Sequence, residues 1–348
     1  MPKLLFLVNV DWFFLSHRLP IALAAKKMGY EVHVAVEITD RYDELLAHGF
    51  NVHRIIASRT SYGVLNDLRH IIEYVSLLKS VQPDIVHLVT LRPVLFGALA
   101  ARLVGVQAVV MAISGLGSVF LGASFVAKLR RRLVELGLLA ALGHRNKRVI
   151  FQNDSDLDLF CRRFGLLDDE FEVIPGSGVD LGHYAPAPMP EGGMVFLMGA
   201  RLIIEKGVLE FAEAARIVRN VREDVRFLLA GVIDNGNPRS LSQQQVEELR
   251  VSGVVELLGE RSDMASVLKG SHVVVLPSYY GEGLPKILIE AAASGRAIVT
   301  TDWPGCRDAI LPNKTGLLVP TRDSKALSEA FLTLIDDPEL VEKMGHRG

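Results

Sequence analysis

Cysteine is scarce in this chain, and neither sign of charge is in excess. Two cysteines, Cys161 and Cys306, in 348 residues are too few for a disulfide framework or a structural zinc site. A formal net charge of −2 gives no overall attraction to nucleic acid. We therefore expect a protein of a reducing cytoplasm, with no structural metal and no nucleic-acid partner.

Long hydrophobic runs are also missing, although 49% of the residues are hydrophobic and the mean hydropathy is +0.28. No stretch reaches the roughly 18 to 20 uncharged apolar residues that a membrane-spanning helix needs. After Met1 the sequence predicts a strand at residues 4–10, then polar and aromatic residues, and not the cleavage site of a signal peptide. Because 348 residues are many for one core, two domains are expected.

The glycine fingerprint of nicotinamide-dependent enzymes is absent as well. The turn after the first predicted strand has no glycine and leads into a helix predicted at residues 16–28, which counts against a dehydrogenase. Strand and helix signals then alternate, which is typical of a doubly wound parallel sheet. These signals lie at residues 31–36, 52–56, 65–80, 85–89, 95–104 and 108–113.

The most informative stretch is residues 276–301, LPSYYGEGLPKILIEAAASGRAIVTT. It predicts a helix that begins at Pro285 and lies between two buried strands. The backbone N–H groups of Gly283, Leu284 and Lys286 should then lie at a helix N-terminus beyond the carboxyl end of a strand. Open α/β sheets bind ligands there, and the helix dipole favours an anion.

Two carboxylates frame this position, Glu282 in the loop and Glu290 two turns into the helix. Spacing alone leaves Glu290 open to two interpretations, a solvated helix position or a buried acid. The helix is apolar almost all round, which favours burial, and a buried carboxylate needs polar partners.

Glu282 and Glu290 form an E-x7-E pair inside E-G-L-P-x-x-x-x-E-A-x-A-x-G. This stretch resembles the donor-site motif of the retaining glycosyltransferases of family 4. The resemblance implies the GT-B fold, an α/β architecture of two doubly wound, Rossmann-like domains with the active site in the cleft between them. It also implies a nucleotide-sugar donor, and neither a cofactor nor a metal.

The resemblance also implies how the chain is divided. The glycine- and proline-rich segment 173–190 is similar to the interdomain linker of the family. We expect an acceptor-binding domain at 1–178 and a donor-binding domain at 179–348. GT-B enzymes usually end with a helix that returns to the first domain, and a chain that stops at Gly348 is expected to be truncated before it.

Two further stretches, DWFFLSHRLPIALAAKKMGYEVHVA and ISGLGSVF, resemble family members from bacterial polysaccharide and glycan clusters. Those enzymes extend sugars linked to undecaprenyl diphosphate, as in O-antigen and capsule synthesis. The implied donor is a UDP-sugar, with an N-acetylhexosamine as one candidate sugar, and the implied acceptor is a lipid-linked saccharide. We expect a cytoplasmic protein that is peripheral on the inner membrane.

The resemblance assigns roles to individual residues. Arg201 and Lys206 would clamp the donor diphosphate, and Glu282 would hold the sugar hydroxyls, although arginine and lysine near a helix start are usually just solvated. Ser114 stands where many family members have a histidine that contacts the donor sugar. The other donor-binding candidates are Gly283, Leu284, Glu290 (for the ribose), Arg261 (for the base), Ser114 and Gly115. The acceptor-binding candidates are Asn9, Asp11, His17 and Arg92.

The segment 119–148 carries clustered cations beside leucines. It fits either an ordinary helix with a solvated basic face or an amphipathic helix on an anionic membrane, where each nearby cation contributes about 1 kcal/mol. The Asp154-Ser155-Asp156 run looks like the D-x-D metal motif of another glycosyltransferase fold. It opens a helical run, so we interpret these acids as helix-start residues and not as metal ligands.

Two other functions stay open. A sugar-nucleotide 2-epimerase would share the fold and convert the donor without an acceptor. A non-catalytic subunit would bind nucleotide or lipid to organise a glycan assembly complex, an interpretation that the E-x7-E pair and the Arg/Lys pair oppose.

Overall fold

A computed structural model describes residues 1–56, 64–117, 124–235 and 237–348. The chain divides into two compact units, Met1–Ser177 and Gly178–Gly348. This division lies one residue before the limit expected from the linker sequence. Each unit has its own sheet and its own hydrophobic core.

In its described residues the first unit has seven strands: β1 (Lys3–Val10), β2 (Glu31–Glu37), β3 (Asn51–Arg54), β4 (Ile85–Val89), β5 (Ala108–Ile113), β6 (Lys147–Phe151) and β7 (Phe171–Val173). Its helices there are α1 (Asp11–His17), α2 (Leu19–Lys27), α3 (Tyr42–Ala47), α4 (Val64–Val81), α5 (Leu91–Val104), α6 (Phe125–Ala141) and α7 (Asp154–Phe164). The strands pair in parallel in the order β3-β2-β1-β4-β5-β6-β7.

The second unit has the same plan. Its described strands are β8 (Val195–Gly199), β9 (Arg226–Ala230), β10 (Glu256–Gly259), β11 (Val273–Leu276), β12 (Ala297–Thr301) and β13 (Gly316–Val319). They pair in parallel in the order β10-β9-β8-β11-β12-β13. The helices are α8 (Val208–Arg219), α9 (Gln243–Ser252), α10 (Met264–Lys269), α11 (Lys286–Ala293), α12 (Ser324–Asp336) and α13 (Pro338–His346), with short 3-10 helices at Ile204–Lys206 and Arg307–Ala309.

Apolar runs form these strands because helices cover both faces of each sheet. Successive side chains of β1 point to opposite faces, so Leu5 and Leu7 enter one core and Phe6 and Val8 enter the other. Strand order reverses between β1 and β4 in the first unit and between β8 and β11 in the second. The carboxyl ends of the strands at these reversals are where doubly wound sheets bind ligands. Both sheets confirm the predicted α/β fold.

The structure corrects the first predicted helix. Residues 11–27 form two helices, α1 and α2, which are interrupted at Arg18 (φ −127°, ψ −12°). In one continuous helix the ring of Pro20 would clash with the carbonyl of Ser16, whereas proline is tolerated in the first turn of α2. The turn after β1 is therefore helical from Asp11, earlier than predicted. Similarly, α5 begins at Leu91 and not at residue 95. Proline is tolerated in the first turn of a helix, so Pro93 lies inside α5 without ending it.

Gly231 permits close packing between β9 and the loop after β8. A Cβ at this position would lie 1.8 Å from the carbonyl oxygen of Ala200, and φ is +150°. A Cβ at Gly253 meets nothing within 4 Å, although φ is +63°. A comparison of the two positions therefore distinguishes backbone strain, which both have, from steric overlap, which only Gly231 has.

We predict that Gly231→Ala lowers the free energy of unfolding more than Gly253→Ala. Backbone strain alone costs about 1–2 kcal/mol per residue, and overpacking adds about 1–3 kcal/mol at Gly231. Denaturant unfolding of both variants beside the unsubstituted protein measures the difference. Equal losses would contradict the close packing seen at Gly231.

Candidate active site

The strongest candidate site lies at the carboxyl ends of β8 and β11, where strand order reverses in the second unit. The 3-10 helix Ile204–Lys206 follows β8, and the loop that carries Glu282 follows β11. The short β-branched run of β11 ends at Pro277, so the chain leaves the sheet there and the polar loop starts at the sheet edge.

Lys206 and Glu282 form an ion pair at this edge. Lys206 Nζ lies 2.5 Å from Glu282 Oε1, and the two side chains are 13% and 11% exposed. Ser278 Oγ donates to the same carboxylate oxygen at 2.9 Å, and the ring centroid of Tyr280 lies 5.6 Å from Nζ. The predicted catalytic residues Lys206 and Glu282 are thus brought together.

The loop after β11 is tied to the 3-10 helix by main-chain contacts. The carbonyl of Glu205 accepts from Tyr279 N at 2.8 Å and lies 3.2 Å from Ser278 Oγ. Gly207 completes the junction with φ +81°, since a Cβ there would lie 2.2 Å from Pro277 O. These contacts hold the backbone that carries Lys206 at a fixed distance from the backbone that carries Glu282.

A second loop supports Glu282 from the carboxyl end of β12. A Cβ on Gly305, where φ is +81°, would lie 2.2 Å from Gly283 O. Trp303 Nε1 donates to Tyr280 O at 2.9 Å. The loop at 302–308 therefore packs directly on the Glu282 loop.

Glu290 lies in α11 and is 7% exposed, so it is a buried acid and not a solvated helix position. Burial raises the pKa of its carboxyl group above the usual 4.5, although Lys286 and the Tyr184 hydroxyl oppose that rise. Lys286 Nζ lies 3.5 Å from Glu290 Oε1. The helix begins after Pro285, which occupies its N-cap with φ −63°.

Two predicted cations pair with acids in the second unit. Arg201, just beyond β8, forms an ion pair with Asp234. Arg261 donates twice to Asp263, at 2.8 and 2.6 Å, and both side chains are exposed. The hydrogen bond from Arg261 holds the pKa of Asp263 below 3.8. The roles predicted for these two cations and for Glu290 stay predictions.

In the first unit, two candidates lie at the carboxyl ends of β1 and β5. Asn9 Nδ2 donates to Thr90 Oγ1 at 2.7 Å, and Ser114 Oγ accepts from Arg18 Nη2 at 3.2 Å. Gly115 follows with φ +99°, a conformation that favours glycine. Of the quoted ISGLGSVF motif, residues 118–120 lie outside the described residues.

Asp11 is fully buried at the start of α1. Its carboxylate accepts from Trp12 N, Thr39 N, Thr39 Oγ1 and Arg41 N at 2.7–3.1 Å. Burial alone would raise its pKa, but these hydrogen bonds outweigh it and hold the pKa below 3.8. The carboxylate thus fixes the loop after β2, and this geometry gives no support to the prediction that Asp11 contacts the acceptor.

The two other acceptor candidates are His17, at the end of α1, and Arg92, in α5. The His17 ring stacks on Phe13 with centroids 4.0 Å apart, and its Nδ1 lies 2.5 Å from Ser16 Oγ. Arg92 lies in the first turn of α5 and contributes to holding the pKa of His70 below 6.5, after burial as the larger cause. Their contact with an acceptor stays a prediction.

The acids of the D-x-D run lie at the first turn of α7, as the capping interpretation predicted. The cap itself is Asn153, whose side chain accepts from Asp156 N at 2.8 Å, and Asp156 is buried. No cluster of three potential metal ligands occurs in the part of the chain that the structure describes.

Several residues that touch the candidate side chains were not predicted. Ser278 and Tyr280 lie in the quoted stretch, only a few residues from Glu282, and their hydroxyl and ring chemistry could have identified them. Asp234 and Tyr184 lie far from Arg201 and Glu290 in sequence, and no local pattern connects them.

Helix α6 carries the basic segment considered for membrane contact. Five large apolar side chains, spaced three or four residues apart, are 51–81% exposed on it: Phe125, Leu129, Leu133, Leu136 and Leu139. Of the segment 119–148, residues 119–123 lie outside the described residues. Among the helices that are described, none combines the length and the apolar character needed to cross a bilayer.

Comparison with protein families gives two matches. The family described as Glycosyl transferases group 1 matches residues 185–348, and the family described as Glycosyl transferase 4-like matches residues 3–153. The two matches lie in different units of the structure.

Two curated relatives are similar along most of the chain. One, from Campylobacter jejuni, is named N,N'-diacetylbacillosaminyl-diphospho-undecaprenol alpha-1,3-N-acetylgalactosaminyltransferase. It is 31% identical, over 94% of this chain and 90% of the relative. The other, from Escherichia coli, is named UDP-Gal:alpha-D-GlcNAc-diphosphoundecaprenol alpha-1,3-galactosyltransferase. It is 28% identical, over 80% of this chain and 73% of the relative.

Solved structures share the fold at low identity. Sucrose-phosphate synthase from Thermosynechococcus elongatus superposes with a TM-score of 0.79 at 21% identity, over 100% of this chain and 92% of that one. HepE from Anabaena, solved with UDP-glucose, superposes with a TM-score of 0.78 at 17% identity, over 100% and 93%.

We predict that Asp11→Asn destabilises the protein at neutral pH by about 1.5–3 kcal/mol, the range for hydrogen bonds to a charged group. An amide offers one acceptor oxygen and would aim an NH2 group at donors. Because the pKa of Asp11 is lowered in the folded state, its contribution is present above the ordinary carboxyl pKa and is lost as pH falls through the lowered value.

Thermal unfolding between acid and neutral pH measures this effect, with the exposed Asp43→Asn as the matched control. The Asp11 variant should differ most from the unsubstituted protein at neutral pH and least in acid. A difference that does not shrink in acid would contradict a role for the ionised carboxylate.

Proposed function

Because this chain belongs to the glycosyl transferases group 1 family, it is a glycosyltransferase of the GT-B fold, and we propose that it transfers a sugar from UDP to a lipid-linked saccharide with retention of anomeric configuration. The observation that carries the proposal is the ion pair of Lys206 with Glu282 at the ligand-binding edge of the second unit. It places a cation suited to a diphosphate beside a carboxylate suited to sugar hydroxyls.

In this proposal, Lys206 neutralises the diphosphate. An ammonium group has three N–H donors, so Lys206 can keep its bond to Glu282 and still donate to phosphoryl oxygens. Arg201 is the second cation, and the start of α11 directs its helix dipole toward the same negative charge. The stabilisation grows as the bond to the sugar breaks and charge accumulates on the leaving diphosphate.

The two acids of the E-x7-E pair have separate roles in this account. Glu282 accepts hydrogen bonds from hydroxyls of the donor sugar, and Ser278 and Lys206 fix its orientation. Glu290 accepts from the ribose hydroxyls, and Lys286 and Tyr184 keep its buried charge partnered. Arg261 and its neighbours receive the base, and Gly283 and Leu284 line the remainder of the donor site in the second unit. Ser114 and Gly115 are the candidate donor contacts of the first unit.

The chemical step needs no base from the protein. The acceptor hydroxyl forms a bond to the anomeric carbon on the face from which the diphosphate leaves. Its proton passes to an oxygen of the leaving diphosphate, and the products are the extended saccharide and UDP. Retention follows because the new bond forms on the face that the old one occupied.

The proposed acceptor is a saccharide linked to a polyprenyl diphosphate, taken by the first unit. The names of two relatives, one of Campylobacter jejuni and one of Escherichia coli, specify such acceptors, and their sugars are N-acetylgalactosamine and galactose. We propose a hexose or N-acetylhexosamine donor accordingly. Asn9, His17 and Arg92 are the proposed acceptor contacts.

We further propose that α6 rests on the cytoplasmic face of the inner membrane, where a lipid-linked acceptor is found. Its exposed apolar stripe (Phe125, Leu129, Leu133, Leu136 and Leu139) is flanked by exposed Lys128, Arg130 and Arg132. An apolar stripe beside cations is the pattern of a helix that lies in the interface of an anionic bilayer.

A transfer assay tests the function. The full chain is incubated with UDP-hexoses and UDP-N-acetylhexosamines, each with and without a short-chain prenyl-diphosphate saccharide. We expect one sugar to be added only when both substrates are present, and NMR of the product should show the donor's anomeric configuration. Conversion of the donor without acceptor would indicate an epimerase instead, and no conversion would favour a binding subunit.

We predict that Lys206→Ala lowers kcat/KM by about 10²–10³-fold, the loss typical of one donor to an oxyanion. The matched control is Lys269→Ala at the exposed end of α10, which should leave kcat/KM unchanged. Near-normal transfer by the Lys206 variant would remove this lysine from the diphosphate site.

We predict that replacing Leu129, Leu133 and Leu136 together by serine weakens binding to anionic vesicles, because each leucine loses apolar burial in the interface. Co-sedimentation with vesicles rich in phosphatidylglycerol measures this, and vesicles of phosphatidylcholine alone test the contribution of charge. Replacement of the exposed Leu103 on α5 by serine is the control. Equal vesicle binding by both variants would refute membrane contact through α6.

A further inference from the structure

A buried arginine without a counter-ion lies at the strand-order reversal of the first unit. Arg18 is 5% exposed at the break between α1 and α2. It donates to His17 O at 3.0 Å and to Ser114 Oγ at 3.2 Å, and its Nε is buried without a hydrogen-bond partner. In the part of the chain that the structure describes, it pairs with no carboxylate. A buried charge ordinarily requires one.

The neighbours of Arg18 supply no negative charge. His87, one strand away on β4, is buried among apolar groups and stacks on Phe6 at 5.2 Å. Its burial, with the nearby charge of Arg18, lowers its pKa to about 3, so it is neutral near neutral pH. Burial lowers the pKa of Arg18 only to about 10, so the guanidinium remains charged.

Polar groups at the adjoining strand ends are also incompletely satisfied. Asn9 Oδ1 and His87 Nε2 are buried without hydrogen-bond partners. Thr90, which bonds to Asn9, adopts φ +75° and ψ 160°, a conformation rare for a residue with a side chain. Backbone strain and unpaired polar atoms concentrate where a protein binds a ligand.

Ser114 contacts the buried Arg18 guanidinium and is itself partly exposed at the edge of the sheet. Its Oγ accepts from Arg18, so its own proton is directed away from the guanidinium and can be donated to a ligand. Asn9, Thr90 and Ser114 are each partly exposed, whereas Arg18 and His87 lie behind them. The cluster therefore presents hydroxyl donors to the edge of the sheet, with a permanent positive charge behind.

We propose that Asn9, Thr90 and Ser114, backed by Arg18, form an oxyanion subsite in the first unit that receives a phosphoryl group of a substrate. This inference rests on the proposed function, which supplies two sources of that group, the donor UDP moiety and the diphosphate of the lipid-linked acceptor. Arg18 acts through Ser114 and is a positioning residue.

Binding of diphosphates tests the subsite independently of transfer. UDP and a short-chain prenyl diphosphate are each titrated calorimetrically into the full chain and into Arg18→Met, Arg18→Lys and Arg162→Gln. Arg162 is exposed on α7 and serves as the matched control. We expect Arg18→Met to weaken one probe about tenfold or more, as for loss of a charge-assisted hydrogen bond. Arg18→Lys should be intermediate and Arg162→Gln unchanged.

The probe that weakens identifies the source of the phosphoryl group. Melting temperature separates ligand binding from a structural role, because removal of a buried charge without a partner should leave the melting temperature unchanged or raised. Affinities within twofold for both probes, no binding of either probe by the unsubstituted chain, or lost affinity together with a lowered melting temperature would overturn the subsite. If the subsite is overturned in one of these ways but the unsubstituted chain still transfers sugar, the proposed function is retained.

Discussion

The second unit is organised around one largely buried ion pair, Lys206 with Glu282. Two charges that are only 13% and 11% exposed must stay within contact of each other, because separating them would leave a buried charge unpaired. Loss of one partner of such a pair typically costs about 3–5 kcal/mol. The backbone contacts around Glu205, Gly207 and Gly305 follow from this requirement, since they hold three loops close enough for the pair to form.

The same constraint supports the proposal that this site stabilises a leaving diphosphate. Its cation is positioned before a ligand arrives, so little reorganisation is needed as negative charge develops. The first unit uses a different arrangement at the equivalent edge of its sheet, where Arg18 is buried without an acid and Asp11 is buried with four hydrogen-bond donors. The acid there has its hydrogen-bond donors in place, whereas the guanidinium keeps one nitrogen without a hydrogen-bond partner.

Much of the fold could be predicted from the sequence because apolar runs and alternating strand and helix signals are local. Strands β4 and β5 have the predicted limits. The break at Arg18 was missed because the apolar pattern continues across Pro20. Arg201, Lys206, Glu282 and Glu290 were selected by resemblance to a motif, whereas the contacts of Glu282 with Ser278, of Arg201 with Asp234 and of Glu290 with Tyr184 come from the tertiary structure. The hydrogen bonds of Asp11 to the loop after β2 also come from the tertiary structure, and its contact with an acceptor stays a prediction.

The most direct test is the structure of the full chain with UDP bound. The account predicts that Lys206 Nζ and the Arg201 guanidinium lie within about 2.7–3.2 Å of diphosphate oxygens, with Glu290 on the ribose hydroxyls and α11 pointing its N-terminus at the diphosphate. UDP bound elsewhere, with Lys206 making no contact to it, would contradict the central claim that this ion pair forms the donor site.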